Sequence, residues 1–443
     1  MKLVKNKLGP HLNQIYFYLV AILILRLDLV FLNTMPTGGD MGAHVVPIKY
    51  FIENFALNLQ LNGWSNDWFA GYPLYFFYFP LPAVVTFVLN IAFPYGIAFK
   101  LMVIGSILLT IYSFERLFRN MQSNFSIFGY IAGLTYVLTE SFTIYGGNLA
   151  STLAGQFSFT YSIAFANLAI AHLTKSDKNK RHVVSAIFLG FSLLSHLIPF
   201  LIYVLIYSYF WIKTKNTIIE KLSSGLIFIF IGIRFTTSLL ANLEYTTNMS
   251  YTPFTKLSDL VKSDIIPFIL VIFIILLFNI KVVMSAKATS LFEWFIIIFS
   301  VLLYFYVPEG ALWNGRVVSF LNLGVVIVFF KLLEYIVIDI FRYEQGDVVL
   351  KILSTIILFS YLLTFVDKWN ISGYQIFLYP LISILTFGFI YFFSSSAHLF
   401  KLTFTASIIF TVSFLPYWVS WNFNGYENKD QWGGIENLYS SLN

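Results

Sequence analysis

Long apolar stretches, each followed by a short polar connection, recur along the whole chain. The run 183–212 is too long for one membrane span, and the turn Ser195-His196-Leu197-Ile198-Pro199 near its middle predicts two short helices. The pattern therefore predicts an all-α polytopic membrane protein with about 13 transmembrane helices. The apolar runs lie near 15–33, 96–114, 124–142, 156–173, 183–212, 224–241, 265–280, 290–307, 317–338, 352–366, 375–393 and 402–418.

Composition agrees with this pattern. Of the 443 residues, 58% are hydrophobic and 11% are charged, whereas ordinary soluble domains carry about 25% charged residues. A water-soluble fold of this length could not bury so much apolar surface. The absence of cysteine excludes disulfides, a thiolate metal site and a cysteine nucleophile.

The basic residues predict the orientation in the membrane. They fall in short clusters between apolar runs, as expected for cytoplasmic loops rather than for a nucleic-acid surface, although the net charge is +6. Thirteen crossings keep every cluster inside if the proline-rich segment 79–93 is not a full span. The chain is therefore predicted to be a multi-pass protein of the cytoplasmic membrane. Its N-terminus is expected on the cytoplasmic side and its C-terminus on the extracytoplasmic side. The clusters are Lys2/Lys5/Lys7, Arg116/Arg119, Lys175/Lys178/Lys180/Arg181, Lys213/Lys215/Lys221, Lys281/Lys287, Arg342/Lys351 and Lys401.

With this orientation the chain forms one transmembrane domain over 1–418. Its first outer loop, 34–95, is long, and long loops are usually functional, so it is expected to carry membrane-surface helices and the site. The extracytoplasmic tail 419–443 either ends the chain or begins a further soluble domain, and the sequence leaves this open.

The outer loop opens with two glycines followed by Asp40. We expect Asp40 to cap a surface helix from about Met41 to Leu61, in which His44 lies one turn beyond Asp40. A carboxylate and an imidazole on one helix face can act as a base and as a metal or phosphate ligand. The alternative is that Asp40 is only a helix cap and His44 only a surface polar residue.

Aromatic residues interleaved with Gly and Pro follow in the same loop. Trp64, Tyr72 and Tyr78, with Asp67 among them, could stack on a sugar ring or line a groove for a lipid tail. The alternative is that Trp and Tyr only anchor the loop at the membrane interface.

Over residues 34–95 the chain resembles the GT-C class of membrane glycosyltransferases. It is most similar to the 6-pyruvoyl-tetrahydropterin synthase-related membrane protein family. The likeness lies in Gly39-Asp40 with His44, Gly71-Tyr72-Pro73-Leu74 and the segment Tyr78 to Pro82. The resemblance implies a GT-C-like fold, a polyprenyl-phosphate-linked sugar donor in the membrane lipid, and Asp40 as catalytic base or metal ligand.

The chain departs from the acidic pairs known in this class, since Met41 and Gly42 follow Asp40. No cofactor is therefore assigned, and a divalent metal at Asp40 and His44 stays open. His196, at the outer tip between two short helices, and Arg316, at the start of a span, are candidates for contact with the lipid phosphate. The alternative for Arg316 is an interfacial anchor.

Together with these residues, the resemblance implies an inverting glycosyltransferase that works at the extracytoplasmic face, with Asp40 as the base. Its acceptor could be a glycan, a lipid or a protein. Two other functions remain: a lipid or solute transporter or flippase, for which an internal repeat would be expected, and a non-catalytic membrane scaffold of envelope assembly.

Overall fold

The structure is a computed structural model of the 443-residue chain. It describes residues 18, 25, 27–67, 71–121, 126–138, 145–174, 181–214, 217–246, 252–262, 265–278, 291–307 and 312–340. The apolar runs 352–366, 375–393 and 402–418 and the tail 419–443 lie outside the described residues. The predicted number of 13 spans therefore stays a prediction.

Helices occupy the apolar runs between residues 79 and 340, as the sequence predicts. Three helical stretches of the described part, Tyr95–Asn120, Ile218–Ala241 and Asn314–Glu334, are long and apolar enough to cross a membrane. The main helices are α1 Met41–Asn54, α2 Leu81–Asn90, α3 Tyr95–Asn120, α4 Ser126–Leu138, α5 Phe157–Thr174, α6 Arg181–Ser195, α7 Leu197–Lys213, α8 Ile218–Ala241, α9 Ile266–Phe278, α10 Leu291–Tyr306 and α11 Val318–Ile340.

The chain divides into two compact units. The first comprises Met1–Ile24, Phe114–Glu140 and Asn248–Leu415, and the second comprises Leu25–Ser113, Ser141–Thr247 and Pro416–Asn443. The long outer loop, with its candidate residues, belongs to the second unit.

Small hydroxyl side chains join α5 to α6 in the second unit. Ser162 donates to the carbonyl oxygen of Ser192 at 2.9 Å, and Ser192 donates back to the carbonyl of Ser162 at 3.0 Å. Farther along, Ser185 donates to the carbonyl of Ala169 at 2.6 Å. Small residues of this kind allow helix backbones to approach closely where water is excluded. These hydrogen bonds hold α6 against α5, and the start of α5 forms part of the candidate site.

The predicted break in the long apolar run is confirmed, because α6 ends at Ser195 and α7 begins at Leu197. His196 lies between them with extended backbone (φ −168°) and caps α7, since its Nδ1 accepts the N–H of Ile198 at 3.2 Å. The ring of His196 stacks on Phe79, with 4.6 Å between ring centroids.

The outer loop is partly as predicted. Helix α1 begins at Met41 but ends at Asn54, short of the predicted Leu61, and a 3₁₀ turn Ala56–Asn58 follows. Two strands, β1 Gly63–Ser65 and β2 Tyr72–Leu74, then pair antiparallel, with Trp64 opposite Pro73. The all-α prediction missed this hairpin, because strands of three residues leave no readable alternation in the sequence.

A buried lysine fixes the chain that leads into the outer loop. The Nζ of Lys100, on α3, donates to the carbonyls of Leu29 at 2.9 Å and Leu32 at 2.5 Å, and to Oγ1 of Thr34 at 3.0 Å. A helix leaves its last carbonyls without partners inside the helix, so this ammonium group satisfies acceptors at the end of the short helix Leu27–Val30. These contacts therefore fix the position from which the chain continues towards Asp40.

The first unit, considered by itself, is held by a buried ion pair between two helices. Glu293 on α10 and Lys331 on α11 both lie at most 8% exposed and are in direct contact. Paired charges are the usual form in which ionisable residues occur at membrane depth. Arg316 lies in the 3₁₀ turn Asn314–Val317, which leads directly into α11, as the sequence predicts.

Candidate active site

The segment before α1 has a backbone that requires glycine. Gly38 and Gly39 have φ values of +93° and +53°, in the left-handed region that favours glycine. The N–H of the next residue, Asp40, donates to the carbonyl of Ala154 at 2.8 Å. These contacts hold the start of the outer loop against the chain that precedes α5.

The chain before α5 is kinked where it meets Asp40. A wide helical turn, Thr152–Gln156, precedes α5 and contains Gly155 with a φ of +110°. A Cβ on Gly155 would lie 2.9 Å from Cβ of Asp40, and a Cβ on Gly39 would lie 2.4 Å from the carbonyl oxygen of Ala154. The two glycine segments therefore interlock, and no larger residue fits at either position without movement.

The side chain of Asp40 does not cap α1, although the sequence predicts that it does. Asp40 is the residue that precedes α1, but its side chain makes no capping hydrogen bond to that helix. Its Oδ2 accepts instead from Nε2 of Gln156 at 3.3 Å, while the residue itself is exposed. The reason is the close contact with the kinked turn, which brings a buried amide within reach of the carboxylate. Asp40 is thus a solvent-accessible carboxylate held by a fixed neighbour.

His44 lies one turn farther along α1, as predicted, and its environment keeps it neutral. Burial lowers the pKa of His44 to about 4, although the Asp40 carboxylate and a hydrogen bond with the Gly155 backbone act in the opposite direction. The ring also contacts Phe157 edge-on at 5.0 Å and Tyr78 at 5.4 Å between centroids. In a neutral imidazole that donates to a carbonyl, the second ring nitrogen is an acceptor.

A cavity of about 210 Å³ opens beside His44 within the second unit. One wall is the face of α1, another is the hairpin strand β2 with the chain that follows it, and a third is the start of α5. The residues that line the cavity are Ala43, His44, Pro47, Ile48, Tyr72, Leu74, Tyr75, Tyr78, Phe79, Pro82, Phe157 and Ser158.

Tyr75, which lines this cavity, has an unusual backbone. Its φ is +60°, in the left-handed region that non-glycine residues adopt at a cost of roughly 1–2 kcal/mol, and it is only 3% exposed. Burial, and to a smaller degree Tyr95, Tyr78 and Tyr72, raise the pKa of Tyr75 well above its usual value. The side chain is therefore an uncharged part of the wall.

The structure brings together some of the predicted residues. His44, Tyr72 and Tyr78 line the cavity, and Asp40 lies one turn before His44. His196 does not line the cavity, but its ring contacts Phe79, which does. The imidazole is half-buried, with its Nδ1 used by the α7 cap.

The remaining predicted residues lie apart from the cavity lining. Trp64 is 59% exposed on β1 and covers Gly71, where a Cβ would lie 2.4 Å from the Trp64 ring. Asp67 is exposed in the hairpin connection, and its backbone N–H donates to Oγ of Ser65 at 3.4 Å. Arg316 belongs to the first unit.

Two site residues were missed by the sequence analysis. Gln156 holds the Asp40 carboxylate, and Ser158 lies 1% exposed at the cavity with no hydrogen-bond partner for its Oγ among the described residues. Both lie at the head of the apolar run 156–173, which the pattern assigns to a span. Two polar residues within three positions after Gly155 are the available signal.

A metal site gains no support from the described residues. No group of three or more His, Cys, Asp and Glu side chains lies together in the part of the chain that the structure describes. A zinc ion on Asp40 and His44 would therefore lack a third such ligand there, whereas zinc sites usually have three or more protein ligands.

No protein-family model and no curated protein matches the chain. Among solved structures, the chain is similar to the crystal structure of ArnT from Cupriavidus metallidurans in the apo state. The identity is 14%, the TM-score is 0.49, and the match covers 91% of this chain and 76% of ArnT. A similarity at this level identifies neither a family nor an activity for this chain.

Proposed function

We propose that the protein is a GT-C-type membrane glycosyltransferase that moves a sugar from a polyprenyl-phosphate-linked donor to an acceptor at the extracytoplasmic face. One observation carries the proposal: the exposed Asp40 has its carboxylate held by Gln156 and its backbone N–H held by the Ala154 carbonyl, one turn from a histidine that lines an aromatic cavity. Helices long and apolar enough to span a membrane accompany this site in the same chain.

The reaction needs one base and a leaving phosphate. The acceptor hydroxyl transfers its proton to the Asp40 carboxylate while its oxygen bonds to the anomeric carbon of the sugar. The bond between that carbon and the phosphate oxygen breaks, and the lipid phosphate leaves with the bonding electrons. A single displacement of this kind inverts the configuration at the anomeric carbon.

The neighbours of Asp40 support this role. Gln156 donates one hydrogen bond to the carboxylate and so restricts its orientation, while the other lone pairs remain accessible to an incoming hydroxyl. His44 is neutral at physiological pH because its pKa is about 4, so its free ring nitrogen can accept a hydrogen bond from the substrate.

We assign contact with the lipid phosphate to cationic side chains outside the group formed by Asp40, Gln156 and His44. The assignment of Arg316 to that contact stays a prediction, since it rests on the sequence position at the start of α11. The same holds for the imidazole of His196, of which one ring nitrogen is used by the α7 cap.

The test compares the native chain in lipid nanodiscs with Asp40→Asn, using a panel of polyprenyl-phosphate sugars as donors. Donor binding and release of free polyprenyl phosphate are measured separately. We expect both proteins to bind a donor, and only the native protein to release the lipid phosphate, because Asn keeps the shape of Asp but cannot accept a proton. Glu53→Gln, which removes the charge of another exposed carboxylate on α1, controls for a change in surface charge.

Release of lipid phosphate by Asp40→Asn at the native rate would remove Asp40 from the mechanism. If neither protein binds any donor while both stay folded, the transferase proposal fails and a transporter or scaffold takes its place.

A further inference from the structure

The cavity beside His44 carries no formal charge. Its described lining contains no Asp, Glu, Lys or Arg, and its one imidazole is neutral at physiological pH. A carboxylate inside the cavity would lose water without gaining an ion pair from these walls, and the exposed carboxylate of Asp40, one turn before His44, would repel it. The group that enters the cavity is therefore expected to carry no negative charge.

Two polar groups in the walls have unused hydrogen-bonding capacity. Ser158 Oγ is buried and has no partner among the described residues, although buried hydroxyls are nearly always hydrogen-bonded. His44 offers a ring nitrogen as acceptor, because its other nitrogen is used by the Gly155 backbone. A saturated hydrocarbon chain would leave both groups unsatisfied, whereas a ligand with hydroxyl groups can satisfy both.

The remaining walls are aromatic and the space is small. Tyr72, Tyr78, Phe79 and Phe157 present rings, and rings offer flat apolar faces to the C–H groups of a ligand. The volume of about 210 Å³ lies below the roughly 300–1,000 Å³ of pockets for drug-sized ligands. One ring-sized group fits this description better than a long chain.

We propose that this cavity binds the sugar ring of the substrate and selects a neutral sugar over a uronic acid, with Ser158 and His44 bonding its hydroxyl groups. The inference rests on the proposed transferase function, since it names the class of sugar that the same site accepts.

The test measures binding of free methyl glycosides to the full chain in nanodiscs by saturation-transfer NMR. Neutral methyl pyranosides (glucoside, galactoside, mannoside) are compared with the uronate counterpart of each. We expect the native protein to bind at least one neutral glycoside, and to bind its uronate counterpart at least tenfold more weakly.

Variants assign this binding to the cavity. Ser158→Ala removes a hydroxyl that has no described partner, so the fold is retained, and binding of the neutral glycoside should weaken about three- to tenfold. Ser223→Ala on α8 does not touch the cavity and should leave binding unchanged. Ala43→Phe fills the cavity from an exposed position and should abolish binding.

Uronate counterparts that bind as tightly as the neutral glycosides would overturn the proposal. So would binding that Ser158→Ala and Ala43→Phe both leave unchanged. If no glycoside binds but Asp40-dependent release of lipid phosphate persists, this inference fails and the transferase proposal stands. If neutral glycosides bind at this cavity without any donor turnover, the transferase proposal fails alone, and neutral-sugar binding stands by itself.

Discussion

A Cβ placed on Gly155 would lie 2.9 Å from the Cβ of Asp40, so the glycine leaves the space in which the candidate base lies. Real Cβ atoms do not approach so closely, and the φ of +110° at Gly155 is itself unfavourable for any other residue. The position of the carboxylate thus depends on the absence of a side chain at Gly155, which lies more than a hundred positions later in the sequence.

Gly155→Ala should therefore displace Asp40 and strain the kink before α5. We expect a loss of about 1–3 kcal/mol in stability and a larger proportional loss of turnover. Thermal unfolding in nanodiscs and lipid-phosphate release measure the two effects. Gly225→Ala on α8 is the matched control, because a Cβ there meets nothing within 4 Å and the change should be neutral or slightly stabilising. Equal behaviour of the two variants would refute the interlock.

Gln156→Leu should weaken catalysis without unfolding the protein. Leu preserves most of the volume but removes the hydrogen bond to the Asp40 carboxylate, and bonds to charged groups contribute about 1.5–3 kcal/mol. We expect turnover to fall about 10- to 100-fold at unchanged donor binding. Gln60→Leu, at an exposed position of the outer loop, should leave turnover unaltered. An active Gln156→Leu enzyme would show that the carboxylate needs no such support.

His44 should make stability depend on pH in a defined window. Its pKa of about 4 in the fold lies below the ordinary 6.5, so the unfolded chain binds more protons between these values. Stability should fall as the pH is lowered from 6.5 to 4, by at most about 1.4 kcal/mol per pH unit, and then level off. The groups that face the ring are Asp40, Tyr78 and Phe157.

The measurement is the difference in thermal midpoint between the native chain and His44→Gln across pH 4–7. Glutamine does not titrate, so this difference isolates the imidazole from other groups. A difference that stays constant with pH would contradict the neutral state assigned to His44.

Lys100→Met should loosen the entrance to the outer loop. The substitution keeps an unbranched side chain but leaves the carbonyls of Leu29 and Leu32 without their donor, at a cost of about 1–3 kcal/mol. Lys213→Met, at an exposed position near Tyr209, should change stability by less than about 0.5 kcal/mol. Circular dichroism melts of both variants provide the comparison. A Lys100→Met protein as stable as Lys213→Met would show that the ammonium group is dispensable.

The sequence predicts the parts of this fold that depend on local pattern. Apolar runs locate the helices from α2 to α11. The turn around His196 separates α6 from α7, because Pro199 is tolerated in the first turn of α7 but would break the interior of one continuous helix. The hairpin of β1 and β2 escapes such reasoning, since its three-residue strands are defined by their pairing rather than by composition.

The candidate site could be predicted only in part, for a related reason. Asp40 and His44 are four residues apart, so their common helix face is a local property that the sequence shows. Gln156 and Ser158 lie far from the outer loop in the sequence. Asp40 and its hydrogen-bond partner Gln156 are 116 positions apart. A single sequence contains no signal for a pairing at that distance, and the pattern assigns both residues to a span.

The interlock of Gly39 with Ala154 and of Gly155 with Asp40 also has a consequence for biosynthesis. A ribosome makes Asp40 early, but the carboxylate acquires its fixed neighbours only after the chain beyond Gln156 has emerged and entered the bilayer. Nascent fragments that stop before this point hold the proposed base without its support. The proposed activity therefore requires that this later stretch has been made and inserted.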